Sequence, residues 1–256
     1  MRKTLLFFFA AAIIVLTACA VPVRKYYPNY SNPVYSVAVL PFYNATNDVD
    51  GPRMIREEFF KRMQERHYLT TPIKEVDGVL LDQMGITLGS QLEMTSPQQL
   101  GEVLGVDGVL YGYVLNFDDI TTGLYNVKKV RAGFKLVDTR TGAVVWSEGL
   151  GVKSALAGGK AGAGITILKE VKDEGIEPYK SINGIEEIPG LKDWHVMRAA
   201  ATEKAGDAAL ISLGEKILTK AMGVHLRAET DVMLDRVMTG FPSGPGSSRE
   251  APRRSR

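Results

Sequence analysis

Side chains able to do covalent, metal or acid–base chemistry are few in this chain and widely spaced. Its histidines, His67, His195 and His225, share no spacing of the His-x-x-x-His kind, and its single cysteine is Cys19, so no His/Cys metal set is built locally. A Gly-x-Ser-x-Gly nucleophile elbow does not occur. Asp118-Asp119 and Glu186-Glu187 are adjacent carboxylates. Neighbours in a strand point to opposite faces, so neither pair is a ready acid–base dyad. The run Ala155–Gly164 is rich in glycine around Lys160, but Ala161 stands where a phosphate-binding loop needs Ser or Thr, and Ser154 where it needs its first glycine. Small residues that let backbones approach, or a mobile loop, account for it better. Residue types and spacing therefore point to no catalytic residue, no metal ligand and no cofactor site. The chain is expected not to be an enzyme, unless distant carboxylates converge in a cleft as in a hydrolase.

The chemistry that remains belongs to Cys19. Arg2 and Lys3 precede an uncharged run from Leu5 to Leu16, the pattern of a cleaved export signal. The run is too short for a spanning helix, which takes roughly 20 residues. It ends in Leu16-Thr17-Ala18-Cys19, which resembles the lipobox of bacterial lipoproteins. That resemblance implies cleavage before Cys19, a diacylglyceryl group on its thiol and an N-acyl chain of the palmitate type. Several acyl chains anchor stably where one is marginal, at about 0.8 kcal/mol per buried methylene. The other reading is an ordinary secreted protein with a free thiol. A lone cysteine at the end of an apolar segment can form no intramolecular disulfide and fits a lipid attachment point better. Ala20 follows the cysteine where an aspartate would retain it; by resemblance to enteric sorting this implies the outer membrane, with the domain facing the periplasm.

Without residues 1–18 the chain carries 29 basic and 29 acidic side chains, since only Arg2 and Lys3 are lost. This near-neutral balance leaves no basic footprint for nucleic acid. Ala20–Pro33, with three prolines, reads as an extended tether behind the lipidated residue, so 19–33 forms one unit. Gly240–Arg256, rich in Gly, Pro, Ser and Arg, reads as a disordered tail; its Arg249, Arg253, Arg254 and Arg256 are either solvated or in touch with headgroups or cell-wall polymer. Between them lie one domain over 34–222 and an amphipathic helix within 223–239.

The elements alternate. Tyr35–Phe42 reads as a strand. A helix over Pro52–Arg66 carries the stripe Ile55, Phe59 and Met63 against a charged face that includes Arg56. Lys74–Met84 reads as a second helix, and Ser96-Pro97-Gln98-Gln99 as a capping box ahead of a third that stops at Gly105. Val109–Phe117 is an apolar, central strand. A hairpin follows, Tyr125–Val137 and Ala143–Lys153 about the turn Asp138–Gly142. Alternation puts Val130, Ala132, Phe134 and Leu136 on one face and Lys129, Arg131 and Lys135 on the other, while Val144, Trp146, Leu150 and Val152 share a face on the return strand, with Phe134 set against Trp146. The basic face is expected in solvent, or against a partner or headgroups. Residues 165–193 read as an irregular excursion, and Asp193–Met222 as an alanine-rich helix. Thr230–Thr239 packs back on the domain or docks a partner.

Three segments, Ser36–Phe42 with Asn44 and Thr46, Leu104–Gly112, and Val137–Trp146, resemble the superfamily of the TolB N-terminal domain, the peptidoglycan-synthase activator LpoB and the curli secretion lipoprotein CsgG. Within it the chain is most similar to the bacterial lipoproteins of the GNA type. The resemblance covers about residues 34–222 and brings no catalytic residues. It implies an α/β fold, one domain with a mainly antiparallel sheet flanked by helices and TolB N-terminal-domain-like, working through protein contacts. The implied role is an outer-membrane accessory or scaffold in an envelope secretion or assembly complex, partnered by membrane lipid through Cys19 and by other envelope lipoproteins or outer-membrane proteins, with a homo-oligomer open. The alternative is an LpoB-like regulatory module for a cell-wall enzyme. Residues 154–190 lack the clean alternation of a CsgG-like membrane hairpin.

Overall fold

A computed structural model describes residues 25–171, 175–222 and 225–246. The export signal, the lipobox with Cys19, the tether up to residue 24 and the arginine-rich end from 247 lie outside the described residues. None of the described helices is long and apolar enough to cross a membrane.

One mixed sheet organises the chain. Its strands are β1 (Ser36–Val39), β2 (Tyr43–Asn44), β3 (Leu69–Thr70), β4 (Gly108–Thr121), β5 (Tyr125–Asp138), β6 (Val144–Gly158) and β7 (Trp194–Thr202). They lie in the order β3-β1-β4-β5-β6-β7, with β2 also on β4. The long β4–β5–β6 meander is antiparallel and supplies most of the ladder; the short strands and β7 join it in parallel.

Helices cover both faces. On one side lie α1 (Asp50–Gln64), α5 (Ala205–Ala221) and α6 (Arg227–Val237); on the other, α2 (Ile73–Met84), α3 (Pro97–Leu104) and α4 (Ala163–Glu170). The stripe read in α1 is the centre of the main core. Ile55, Phe59 and Met63 are fully buried, and Phe59 stacks 4.8 Å from Phe134 of β5. Ser96 caps α3 as its sequence predicts, accepting from the Gln99 amide at 3.2 Å while its own N–H donates to Oε1 of Gln99. Gly85 and Gly105 end α2 and α3 in the left-handed region, where a side chain is strained. The run 155–164 closes β6 and enters α4. At Gly164 a Cβ would lie 2.5 Å from the Ala200 carbonyl, so close backbone approach is the use of its small residues.

Several expectations need correction. The stretch 194–202 is strand β7, not the start of a helix. Alanine favours helix only weakly, and hydrogen bonding along the open edge of β6 outweighs that preference. Only Ala205–Ala221 is helical there. The hairpin keeps its faces but not its register: Trp146 lies opposite Leu136, and Phe134 opposite Glu148. A two-residue offset preserves the face because the side-chain period is two. An irregularity after Leu136 pairs Val137 with Val144, which carries Val144 to the opposite face from Trp146. Arg56 is not on an exposed charged face; it is buried, donating to the Val39 carbonyl and pairing with Asp77 at 2.7 Å.

Composition assigns residues 25–33 to the tether and 240–246 to the tail, yet both stretches contact the domain. Residues 240–246 pack on the domain: Phe241 is buried, 4.8 Å from Trp146 and 5.5 Å from Phe59. The Gly244 carbonyl accepts from Asn29 N–H at 2.9 Å, and Asn32 donates to the Ser243 carbonyl and to the Tyr68 hydroxyl. Tyr26 lies under the Arg66 guanidinium, and its carbonyl meets His67. One aromatic anchor and a few backbone bonds order stretches whose composition looks disordered. Phe241→Ala is therefore expected to cost about 3–5 kcal/mol, lowering the melting temperature by roughly 10 °C. Thermal unfolding checks this, and an unchanged midpoint would remove residues 240–246 from the core.

Candidate functional site

The basic side chains of β5 were the sequence's only candidate for a site besides Cys19. They share one face as expected, but they are not in solvent. Arg131 is fully buried, Lys129 is 6% exposed, and Lys135 is half-buried. The cover is the stretch 175–194, which descends onto the strands where their side chains are missing. A Cβ on Gly149 would lie 2.8 Å from Leu191, and one on Gly151 2.5 Å from the Trp194 ring. These glycines make the trough that receives the cover. Trp194 then sits beneath Lys129, Arg131 and Lys153, at 5.6, 5.0 and 5.5 Å from its ring centre. Arg131 also faces Tyr179 at 5.3 Å and donates from Nε to the Asn116 side chain at 2.9 Å. Desolvated cations are favourable over aromatic faces by about 2 kcal/mol. The face is thus an internal joint. A cavity of about 330 Å³ remains at its edge, lined by Asn47, Asn116, Asp118, Lys129, Tyr179 and Trp194.

Sequence reasoning missed Trp194, Tyr179 and Asn116. Alternation identifies which residues share a face, whereas what covers that face is a long-range matter. The glycines at 149 and 151 were the available signal, because a strand interior without side chains marks a close approach.

Lys135 stands apart in a cleft of about 250 Å³ between β4–β5 and the 3-10 turn Gly89–Met94, together with Tyr43, Glu93, Tyr111, Tyr113 and Glu187. Its ammonium lies 5.3 Å from the Tyr113 ring. Burial pulls the Lys135 pKa down, and Glu187 opposes this. Burial pushes the Tyr111 phenol up to about 12 and raises Tyr113 as well, with Tyr111 and Glu93 adding to the latter. At neutral pH both phenols keep their protons. The cleft offers hydrogen-bond donors and one amine, at a volume below the roughly 300–1,000 Å³ of small-molecule sites.

The other candidates do not converge. Asp118 and Asp119 point to opposite faces: Asp118 accepts from Asn116, while Asp119 is buried under α5 and takes Asn126. Glu187 is in the cleft and Glu186 lies outward by Lys180. The described residues hold no cluster of three His, Asp or Glu able to bind a metal. His67 meets the Tyr26 carbonyl, His195 lies on β7, and His225 lies 3.8 Å from Asp119.

Comparison with known proteins supplies the family. A family model described as "Putative lipoprotein GNA1162-like" matches residues 27–172, more than half of the chain. The chain belongs to the GNA1162-like lipoprotein family. A curated member from Neisseria meningitidis serogroup B, the lipoprotein NMB1124/NMB1162, is 29% identical over 140 residues, which is 54% of this chain and 65% of that protein. The match thus spans just under two thirds of that relative. Among solved structures, lipoprotein GNA1162 from N. meningitidis is 26% identical, covering 54% of this chain and 94% of its own at a TM-score of 0.45. The LpoB C-terminal domain from Escherichia coli is 12% identical, covering 53% and 90% at 0.33. A PelC dodecamer from Paraburkholderia phytofirmans is 20% identical, covering 44% and 67% at 0.30. The family match ends before β7, α5 and α6.

Two outcomes test this geometry. Gly151→Ala drives a methyl into the Trp194 ring and is expected to shift tryptophan emission to longer wavelength as the cover lifts; unchanged emission would contradict the packing. His225 sets a pH dependence. Its pKa is lowered from 6.5 by burial first, with Lys220 and Lys216 adding and Asp119 and Asp48 opposing. The unfolded chain then takes up this proton more readily than the folded one, so the stability is fully present above 6.5 and lost as pH falls through the lowered folded value. The melting temperature of His225→Gln should fall less than that of the parent between about pH 7.5 and 5.5.

Proposed function

We propose that this GNA1162-like lipoprotein is an outer-membrane-anchored accessory or scaffold of an envelope secretion or assembly complex, working through protein contacts without catalysis. Lipid on Cys19, a diacylglyceryl group with an N-acyl chain, holds it to the membrane, and the domain faces the periplasm.

One contrast carries this reading. The charged groups in the clefts beside β5 brace the fold, whereas a large apolar surface is turned outward on α5, where Leu210, Ile217 and Leu218 are 72, 63 and 60% exposed. Apolar surface of that extent marks contacts with macromolecules. The docking of Tyr26 and Asn32 further favours work close to the membrane. Between Cys19 and Lys25 the chain reaches at most roughly 20 Å at 3.3 Å per residue, too little to cross a cell wall toward an inner-membrane synthase.

The test is reversible cross-linking in cells, purification from detergent-solubilised outer membrane and identification of bound proteins, with Cys19→Ala as the unanchored control. Envelope lipoproteins or outer-membrane secretion components, lost in the control, are the expected result. Recovery of a peptidoglycan synthase would replace the scaffold with a regulator of that enzyme, and recovery of no protein would end both.

A further inference from the structure

Helix α5 carries its apolar side outward. Toward the sheet it presents Ala208 and Ser212, both buried, while Glu215 pairs with Lys128 and Lys216 donates to the Asp119 carbonyl. At 100° per residue the opposite side collects Leu210, Leu213 and Ile217, with Leu218 and Ile211 along one flank. All five are between 50 and 72% exposed. A surface helix ordinarily shows the reverse.

Gly206 and Gly214 lie on the same outward side, and a Cβ on either would meet nothing within 4 Å. Glycine inside a helix is less favourable than alanine, and among the described residues nothing packs against these two. Close approach of another helix gives them a use, since small residues let helix backbones come together.

We propose that this face binds a second copy of the chain, α5 packing antiparallel on α5 about a two-fold axis near residues 213 and 214. That register sets Leu210 against Ile217 and Leu213 against Gly214, the self-complementarity that a two-fold contact demands. It also lays the acidic first turn, with Asp207, beside the basic last turn of the other copy, with Lys220. A bilayer would suit this face less well: Asp207 on the outward side would meet headgroups, and the glycines would have no role.

The proposal deepens the protein-contact reading and is tested apart from it, on the unlipidated Cys19→Ala chain by sedimentation equilibrium up to about 100 µM. The expected result is a monomer–dimer equilibrium. Both Leu210→Gln combined with Ile217→Gln and, separately, Gly214→Leu should weaken it at least about 10-fold. Gly214→Leu has open space around it and should melt no lower than its parent at concentrations where both are monomeric, which separates loss of the contact from loss of the fold. A parent chain that stays monomeric, or a dimer indifferent to these substitutions, overturns the proposal. So does flotation of the monomer with phosphatidylglycerol–phosphatidylethanolamine vesicles, if Leu210→Gln with Ile217→Gln abolishes it, since the face would then belong to the membrane.

Discussion

Strand β5 is buried on both faces, and the rest of the molecule is arranged around that constraint. Its even-numbered residues, from Val130 to Leu136, face the aromatic core closed by α1 and α6. On its odd-numbered side, Lys129 and Arg131 are covered by the stretch that ends at Trp194. A strand buried on both sides is usually apolar throughout. Here one side is cationic, and burying a charge costs several kcal/mol unless aromatic faces and hydrogen-bond acceptors meet it. Trp194, Tyr179 and Asn116 do so. The meander and its irregular cover therefore depend on one another.

Local signals were readable where the determinant is local. The capping box at Ser96, the glycine stops at 85 and 105, the Phe59 stripe and the sharing of faces along the hairpin each follow from a few neighbouring residues. What failed was set at long range. The alanines of 199–201 favour helix in isolation, and only the edge of β6, some forty residues earlier, makes them a strand. Lys129, Arg131 and Lys135 were correctly grouped, yet their burial depends on a cover whose own pattern shows no periodicity. That a helix lies within 193–222 was legible from its alanines, but such composition does not say which side of the helix meets the sheet.

The GNA1162-like region is not self-sufficient in this chain. Its core residues Phe59 and Phe134 share a cluster with Met233, Leu234, Val237 and Phe241, all beyond residue 172. The C-terminal part thus has two distinct jobs. Helix α6 completes the main core, while α5 turns outward apolar side chains that the core does not use.

The pairing of Asn29 with Gly244 also gives the domain a mechanical character. A pull on the chain upstream of Lys25 is delivered first to the bonds that Tyr26, Asn29 and Asn32 make with His67, Gly244 and Ser243. Only after these yield does the load reach β1 and its parallel partners. The two ends of the described chain act as a single strap buckled over the end of α1, so tension on one end is shared with the other before the sheet feels it.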